Sequence, residues 1–564
     1  MPPERRSDPW RSKEEGALSL GSVLWVVARL RWLISACGLD PALFRELLRV
    51  RVLLALRPSS SGSQAFAVAG VVIAVLGTWF FGLGTGLVAL LSKKAVVWVV
   101  VSQSALLLLL AMLLFQQFAG ILVDPTDIGV VAPHPVEDRT LFAVRLTEVG
   151  GLIAIFAVSF TAGSVFLAVF ALKPLAVLLV YPVLSFLCAA TTLGLVAFSF
   201  AACLRLVGPT HFQRVTLWGQ ILGGVLVFLG FQLPRLVHRE QWGLWLDRLQ
   251  GLRFLWPPFQ YAEVFAWASG ERALPVVPAL AAVLVPLVAL ALTFWLASRY
   301  FVAGLQGTLG APRPRATWER GPLTSLLWGL GARLKLCEER AGFEFTQALA
   351  RREPQFLRAV LPQLLMFQVM ALGMGFSWRE RGLFLPMSAG FLFLVLPNVL
   401  LQSQGTAAPE SRELFLSAPL EDEAALLRGG VKALLLGWIG LPALVLFGIQ
   451  MCIAGPRALP QSLLALELSF AAALIFTRFF QLGVPFSRPI RTGSASTANL
   501  GIILTMGFAL GILVLIHWLL ALHPLSLGTG IVALAALNVF LWRRLSSLRV
   551  PRDRSLLPAP AQRG

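Results

Sequence analysis

The chain alternates long apolar stretches with short polar breaks. Twelve stretches approach or exceed the roughly 20 residues that a helix needs to cross a bilayer. They are 65–91, 95–122, 149–172, 175–203, 215–233, 275–297, 356–376, 383–404, 431–454, 459–480, 499–522 and 525–542. Most are apolar all round rather than along one stripe, as expected of helices immersed in lipid. The pattern predicts an all-α polytopic membrane protein of about twelve transmembrane helices in two tandem six-helix halves, 65–298 and 356–545. Residues 299–355 connect them, and include the loop-like run Gly310-Ala311-Pro312-Arg313-Pro314-Arg315.

The second half repeats features of the first. After the second stretch come Asp124-Pro125-Thr126-Asp127 and then Pro135-Val136-Glu137-Asp138-Arg139. After the eighth come Glu410-Ser411-Arg412-Glu413 and then Pro419-Leu420-Glu421-Asp422-Glu423, with the two Pro-x-Glu-Asp runs 284 residues apart. Ahead of each half lies a mixed segment. Within the N-terminal 1–64, residues 18–57 combine Leu, Val and Trp with Arg29, Arg31, Arg45, Arg49 and Arg51. Its counterpart, 322–352, carries Arg333, Lys335, Arg340, Arg351 and Arg352. Both predict amphipathic helices lying in the membrane interface. The halves differ at 234–272, where Trp242, Trp245, Trp256, Tyr261 and Trp267 crowd one loop that the second half lacks. Trp and Tyr favour the interface, so short helices dipping into the outer leaflet are expected there.

Charge fixes the orientation. Of 47 Lys and Arg, 36 fall on the two tails and the even-numbered loops and 11 on the odd-numbered loops. The positive-inside rule then places both termini in the cytosol, as in a multi-pass protein of a bacterial inner membrane. A parallel repeat follows, since both halves begin on the same side. The basic tail 546–564 is expected to be disordered. The net charge of +19 does not point to nucleic acid, because the charges avoid the apolar runs and form no aromatic-interleaved groove.

Hydrophobic residues make up 57% of the chain and charged residues 13%, against about a quarter charged in soluble domains. No lysine follows a glycine, so a Walker A loop is missing, and neither H-E-x-x-H nor G-x-S-x-G occurs. No catalytic residue, resident cofactor or metal site is expected. The five cysteines show no C-x-x-C spacing and read as small apolar fillers. The first apolar stretch, Ala17–Ala28, is short and runs into Arg29 and Arg31, unlike a signal peptide.

Glu467 is the one carboxylate well inside an apolar run, which makes it a candidate functional group, since charge in lipid is costly. It could carry protons or pair with a polar neighbour. Gly219/Gly223 and Gly507/Gly511 place G-x-x-x-G in the fifth and eleventh stretches, a candidate packing seam. Gln103, Gln116, Gln117, Gln220, Gln232 and Asn538 fit interhelical hydrogen bonds or a lined path.

With its paired Pro-x-Glu-Asp loops, interfacial segments and outer aromatic loop, the chain resembles the permease subunit of an ABC-2-type ABC transporter, with two six-helix halves fused. The resemblance implies that a separate ABC ATP-binding subunit, in two copies, carries ATP and Mg and pushes on the short loops. It further implies export of a small molecule, lipid or peptide. Asp127, Pro135, Glu137, Asp138, Arg139, Pro419, Glu421 and Asp422 are the coupling residues so implied. Two other readings stay open: a proton-coupled secondary transporter centred on Glu467, and a membrane scaffold or polymer-assembly enzyme. The outer acids Glu240, Asp247, Glu263, Glu271 and Glu380 form no catalytic pairing for the latter.

Overall fold

The computed structural model describes residues 29, 31–36, 38–56, 63–122, 137–207, 218–219, 222–223, 256–271, 273, 276–310, 337–353, 356–357, 360–365, 368, 395–396, 399–400, 402–406, 423–479, 485–486, 488–489, 516–517, 519–520 and 523–545. Apart from a two-residue parallel bridge, β1 (Gly405–Thr406) with β2 (Arg488–Pro489), its elements are helical. Eight of them are long and apolar enough to cross a membrane, which is compatible with a multi-pass protein. They correspond to eight of the twelve predicted stretches. The other four, 215–233, 356–376, 383–404 and 499–522, fall largely outside the described residues.

The described helices group into two compact units. The first begins with α1 (Arg31–Ala36) and α2 (Pro41–Leu56). Gly38, at φ +74°, makes the turn between them, and its N–H bonds the Ser35 carbonyl at 2.9 Å. A positive φ there suits glycine because a Cβ would be strained. Asp40 caps α2 by accepting from the Ala42 N–H at 2.9 Å, and Pro41 supplies a preset first turn.

Next come α3 (Ser63–Ser92) and α4 (Ala95–Leu122), joined by Lys93 and Lys94. They are followed by α5 (Asp138–Ala168) and α6 (Pro174–Val207), then the short α7 (Pro257–Ala268) and α8 (Val276–Gly310). α5 begins eleven residues before the predicted stretch at 149. Its first turns carry Arg139, Arg145 and Glu148, which interrupt an apolar reading but not a helix. Pro182 and Pro286 lie inside α6 and α8, where each removes one helical hydrogen bond.

The second unit contains α9 (Cys337–Arg352), α10 (Glu423–Leu434), a π-helical turn at Leu435–Gly440, α11 (Leu441–Ala454), α12 (Ala458–Phe479) and α13 (Pro524–Leu545). α10, the π turn and α11 run on without a break, so the predicted span at 431 starts eight residues earlier as helix. α9 is amphipathic: Gly342, Phe343, Thr346, Gln347 and Ala350 are buried, with Glu338 and Glu339 in its first turn and Arg351 and Arg352 in its last. Phe356 sits at the centre of this unit's core, edge-on to Trp438 at 4.9 Å and to Phe486 at 5.6 Å.

Candidate functional site

Each unit contains the same local arrangement at the start of one long helix. In the first unit, α5 opens with Asp138 directly after Glu137. Glu137 is extended, its carbonyl accepts from the Thr140 N–H at 2.9 Å, and its side chain makes no capping bond. The Glu137 and Arg139 side chains are exposed. Five and six residues into α5, Ala143 and Val144 pack on Ile34, Leu39, Phe44 and Leu48 of the α1–α2 hairpin. Arg145 is buried there and pairs with Glu148 at 3.3 Å.

In the second unit, α10 opens at Glu423, directly after Asp422, and packs along α9. This is a very close crossing. A Cβ built on Gly342 would collide with the Leu426 carbonyl, and one on Gly429 with the Glu339 carbonyl. Buried Glu339 forms an ion pair with Lys432, whose ammonium also lies 5.2 Å from the Trp542 ring centroid. Gln347 donates to the Ala433 carbonyl at 2.6 Å. In both units, then, a helical segment preceding the apolar stretches covers the first turns of the helix that follows an acidic loop. Of the predicted coupling residues, Glu137, Asp138 and Arg139 are placed. Asp127, Pro135, Pro419, Glu421 and Asp422 lie outside the described residues.

A second polar constellation runs through the first unit. Ser164 on α5 is its hub: the Trp98 indole N–H donates to Ser164 Oγ at 3.2 Å. The hydroxyls of Thr85 and Tyr181 lie 3.1 and 3.3 Å from the same oxygen. Tyr181 stacks on Trp98 with centroids 4.4 Å apart, and Phe265 of α7 meets the Trp98 ring edge-on at 5.6 Å. The ladder continues through Gln103, which donates to Ser185 Oγ at 2.9 Å, and through Thr191, 2.7 Å from the Tyr261 hydroxyl. Trp256 donates to Ser104 at 2.9 Å, and Lys173 bonds the Ser269 carbonyl. These contacts dock α7 into the bundle. Its far end lies beside the α5–α6 turn, while its start reaches Ser104, nine residues or about 13 Å along α4. The aromatic loop thus supplies a helix that enters between α4, α6 and α8. Of this ladder, Gln103 and the aromatic-loop residues Trp256 and Tyr261 stand out in the sequence. Alternating Ser and Thr in apolar helices were the signal for the rest.

The Glu467 side chain is half-buried on α12 and is held by α13, where Asn538 Nδ2 donates to its carboxylate at 2.5 Å and to its backbone carbonyl at 3.0 Å. The structure therefore joins two candidates that the sequence had left separate. Among the described residues, a Cβ built on Gly219 would meet the Phe115 ring at 3.8 Å, an ordinary contact. Gly223 is helical, and Gly507 and Gly511 lie outside the described residues. Among the described residues, a close glycine seam lies between α3 and α5: Gly82 and Gly86 of α3 face α5, where a Cβ on Gly82 would collide with the Phe160 carbonyl and one on Gly163 with that of Trp79. Gly82-x-x-x-Gly86 was legible as a motif. Among the described residues, no group of three or more His, Cys, Asp and Glu is placed to hold a metal. No family model, curated protein or solved structure matches this chain.

Proposed function

We propose that this chain is the membrane-spanning permease of an ATP-driven transporter of the ABC-2 kind, energised by a separate ATP-binding subunit that holds ATP and Mg. One observation carries the reading. In each unit a preceding helical segment braces the opening turns of the helix that leaves an acidic loop, α1–α2 on α5 and α9 on α10. A loop meant to receive force needs such a brace, so that a push moves the long helix instead of bending its end. Glu137 fits a docking role better than a capping one, because its exposed carboxylate is not used on its own helix.

In this mechanism, ATP draws two nucleotide-binding domains together beneath the membrane. They press on residues 124–140 and 410–424, and the two helical bundles rock between inward- and outward-open states. Export is the direction that the family resemblance implies. The test is co-purification of the full chain with an ATP-binding subunit carrying a Gly-Lys-Ser/Thr loop. Glu137→Lys combined with Glu421→Lys should lower recovery of that subunit at least tenfold and remove its nucleotide-dependent response, with the melting curve unchanged. Wild-type recovery from the double variant would overturn the coupling assignment.

A further inference from the structure

We propose that the outward side of the α1–α2 hairpin is a binding surface for anionic phospholipid headgroups. The hairpin has two unlike sides. Ile34, Leu39, Phe44 and Leu48 face the bundle and are buried. Arg31, Arg45 and Arg49 are exposed. So is Trp32, at 65%, with Val50 at 50%. The acidic residues of the hairpin are already engaged: Asp40 caps α2, and Glu46 sits loosely beside Arg49 at 3.8 Å. A surplus of guanidinium charge remains on a side that also displays an indole ring.

The position of the hairpin along the bundle selects the partner. It packs on Ala143 and Val144, about 8 Å from the first residue of α5. It also touches Phe294, two residues before the apolar window of α8 ends at Leu296. That is the polar–apolar boundary, where headgroup phosphates lie. Guanidinium groups bind phosphate oxygens through paired N–H donors, and tryptophan is favoured at the same depth. An acidic soluble partner would satisfy the arginines but would not account for the exposed Trp32 beside them. A bilayer surface accounts for both.

The inference rests on the membrane reading alone and is independent of any ATPase. It is tested on the full chain in nanodiscs of phosphatidylcholine, with or without phosphatidylglycerol, by amide hydrogen exchange across 41–56. Phosphatidylglycerol should slow exchange there at least about fivefold, from the order of 1 kcal/mol that each basic residue gains near an anionic surface. The effect should shrink as salt is raised. Arg31→Gln, Arg45→Gln and Arg49→Gln together should abolish the difference and leave α4 unchanged, while the matching Lys triple variant retains it. Equal exchange of the wild type in the two lipids would overturn the proposal. So would a Gln variant that keeps the difference, a Lys variant that loses it, or protection that appears only on adding an acidic soluble protein.

Discussion

Two crossings, α3 on α5 in the first unit and α9 on α10 in the second, are both built on glycine but satisfy their polar groups by different means. At the first, Gly82, Gly86 and Gly163 bring the backbones together, and the neighbouring polar atoms are hydroxyls and an indole gathered on Ser164. At the second, Gly342 and Gly429 do the same steric work, but the flanking pair is charged, Glu339 with Lys432. The contrast follows the surroundings. α3 and α5 cross along apolar spans, where a charge is costly and neutral donors suffice. α9 is a charged amphipathic helix outside the candidate spans, and Lys432, near the start of the span Ala424–Ile453, stays 31% exposed, so its ammonium can keep one side in water.

Disturbing the glycines should have the largest effect, because a methyl group there meets backbone rather than a side chain that can turn away. Gly163→Ala and Gly429→Ala should each cost about 3 kcal/mol, read as a fall in the melting temperature of the detergent-solubilised protein. Equal losses would show that the steric requirement is shared, whatever the electrostatics. Next comes Lys432→Met, which strands Glu339 in a buried position. A loss of about 2 kcal/mol is expected, discounted because the Lys432 side chain is 31% exposed. Adding Glu339→Gln should recover part of it.

On the neutral side, Ser164→Ala removes the shared oxygen from Trp98, Thr85 and Tyr181, and should cost about 1 kcal/mol. A loss as large as that for Lys432→Met would break the contrast. The smallest effect is expected for Glu467→Gln. The amide oxygen still accepts from Asn538, so stability should change by less than about 1 kcal/mol, and an ATP-driven transporter should keep its activity. Loss of transport with stability intact would favour proton coupling instead.

Where the sequence offered uninterrupted apolar runs, it located the helices closely: 65–91 against Ser63–Ser92, 95–122 against Ala95–Leu122, 459–480 against Ala458–Phe479. It failed at mixed ends. The first turns of α5 and α10 are helical but carry Arg139, Arg145, Glu148 and Arg428, which hydropathy alone assigns to loops. The candidate site was legible in part. The acidic loops and the segments preceding each half could be read locally, but not that each segment braces the helix after its loop. That relation joins residues about a hundred apart, such as Phe44 with Val144, and only packing reveals it. The α3–α5 glycine seam is hard to read for a similar reason: G-x-x-x-G occurs by chance in a chain with 49 glycines, and nothing local sets 82/86 apart from the other matches. Which glycine matters depends on which neighbour approaches.

The π turn at 435–440 accommodates one residue more than an α-helical turn would, and in the helix before it length is under constraint as well as residue identity. Deleting one residue from the π turn itself would restore an α-helical turn with little rotation, whereas deleting one from 430–434 would rotate 423–429 by about 100° relative to 441–454. Gly429 would swing away from α9, and a bulky side chain would arrive where two backbones now touch. A shortening that leaves hydropathy untouched would thereby dismantle the tightest glycine crossing among the described residues of the second unit.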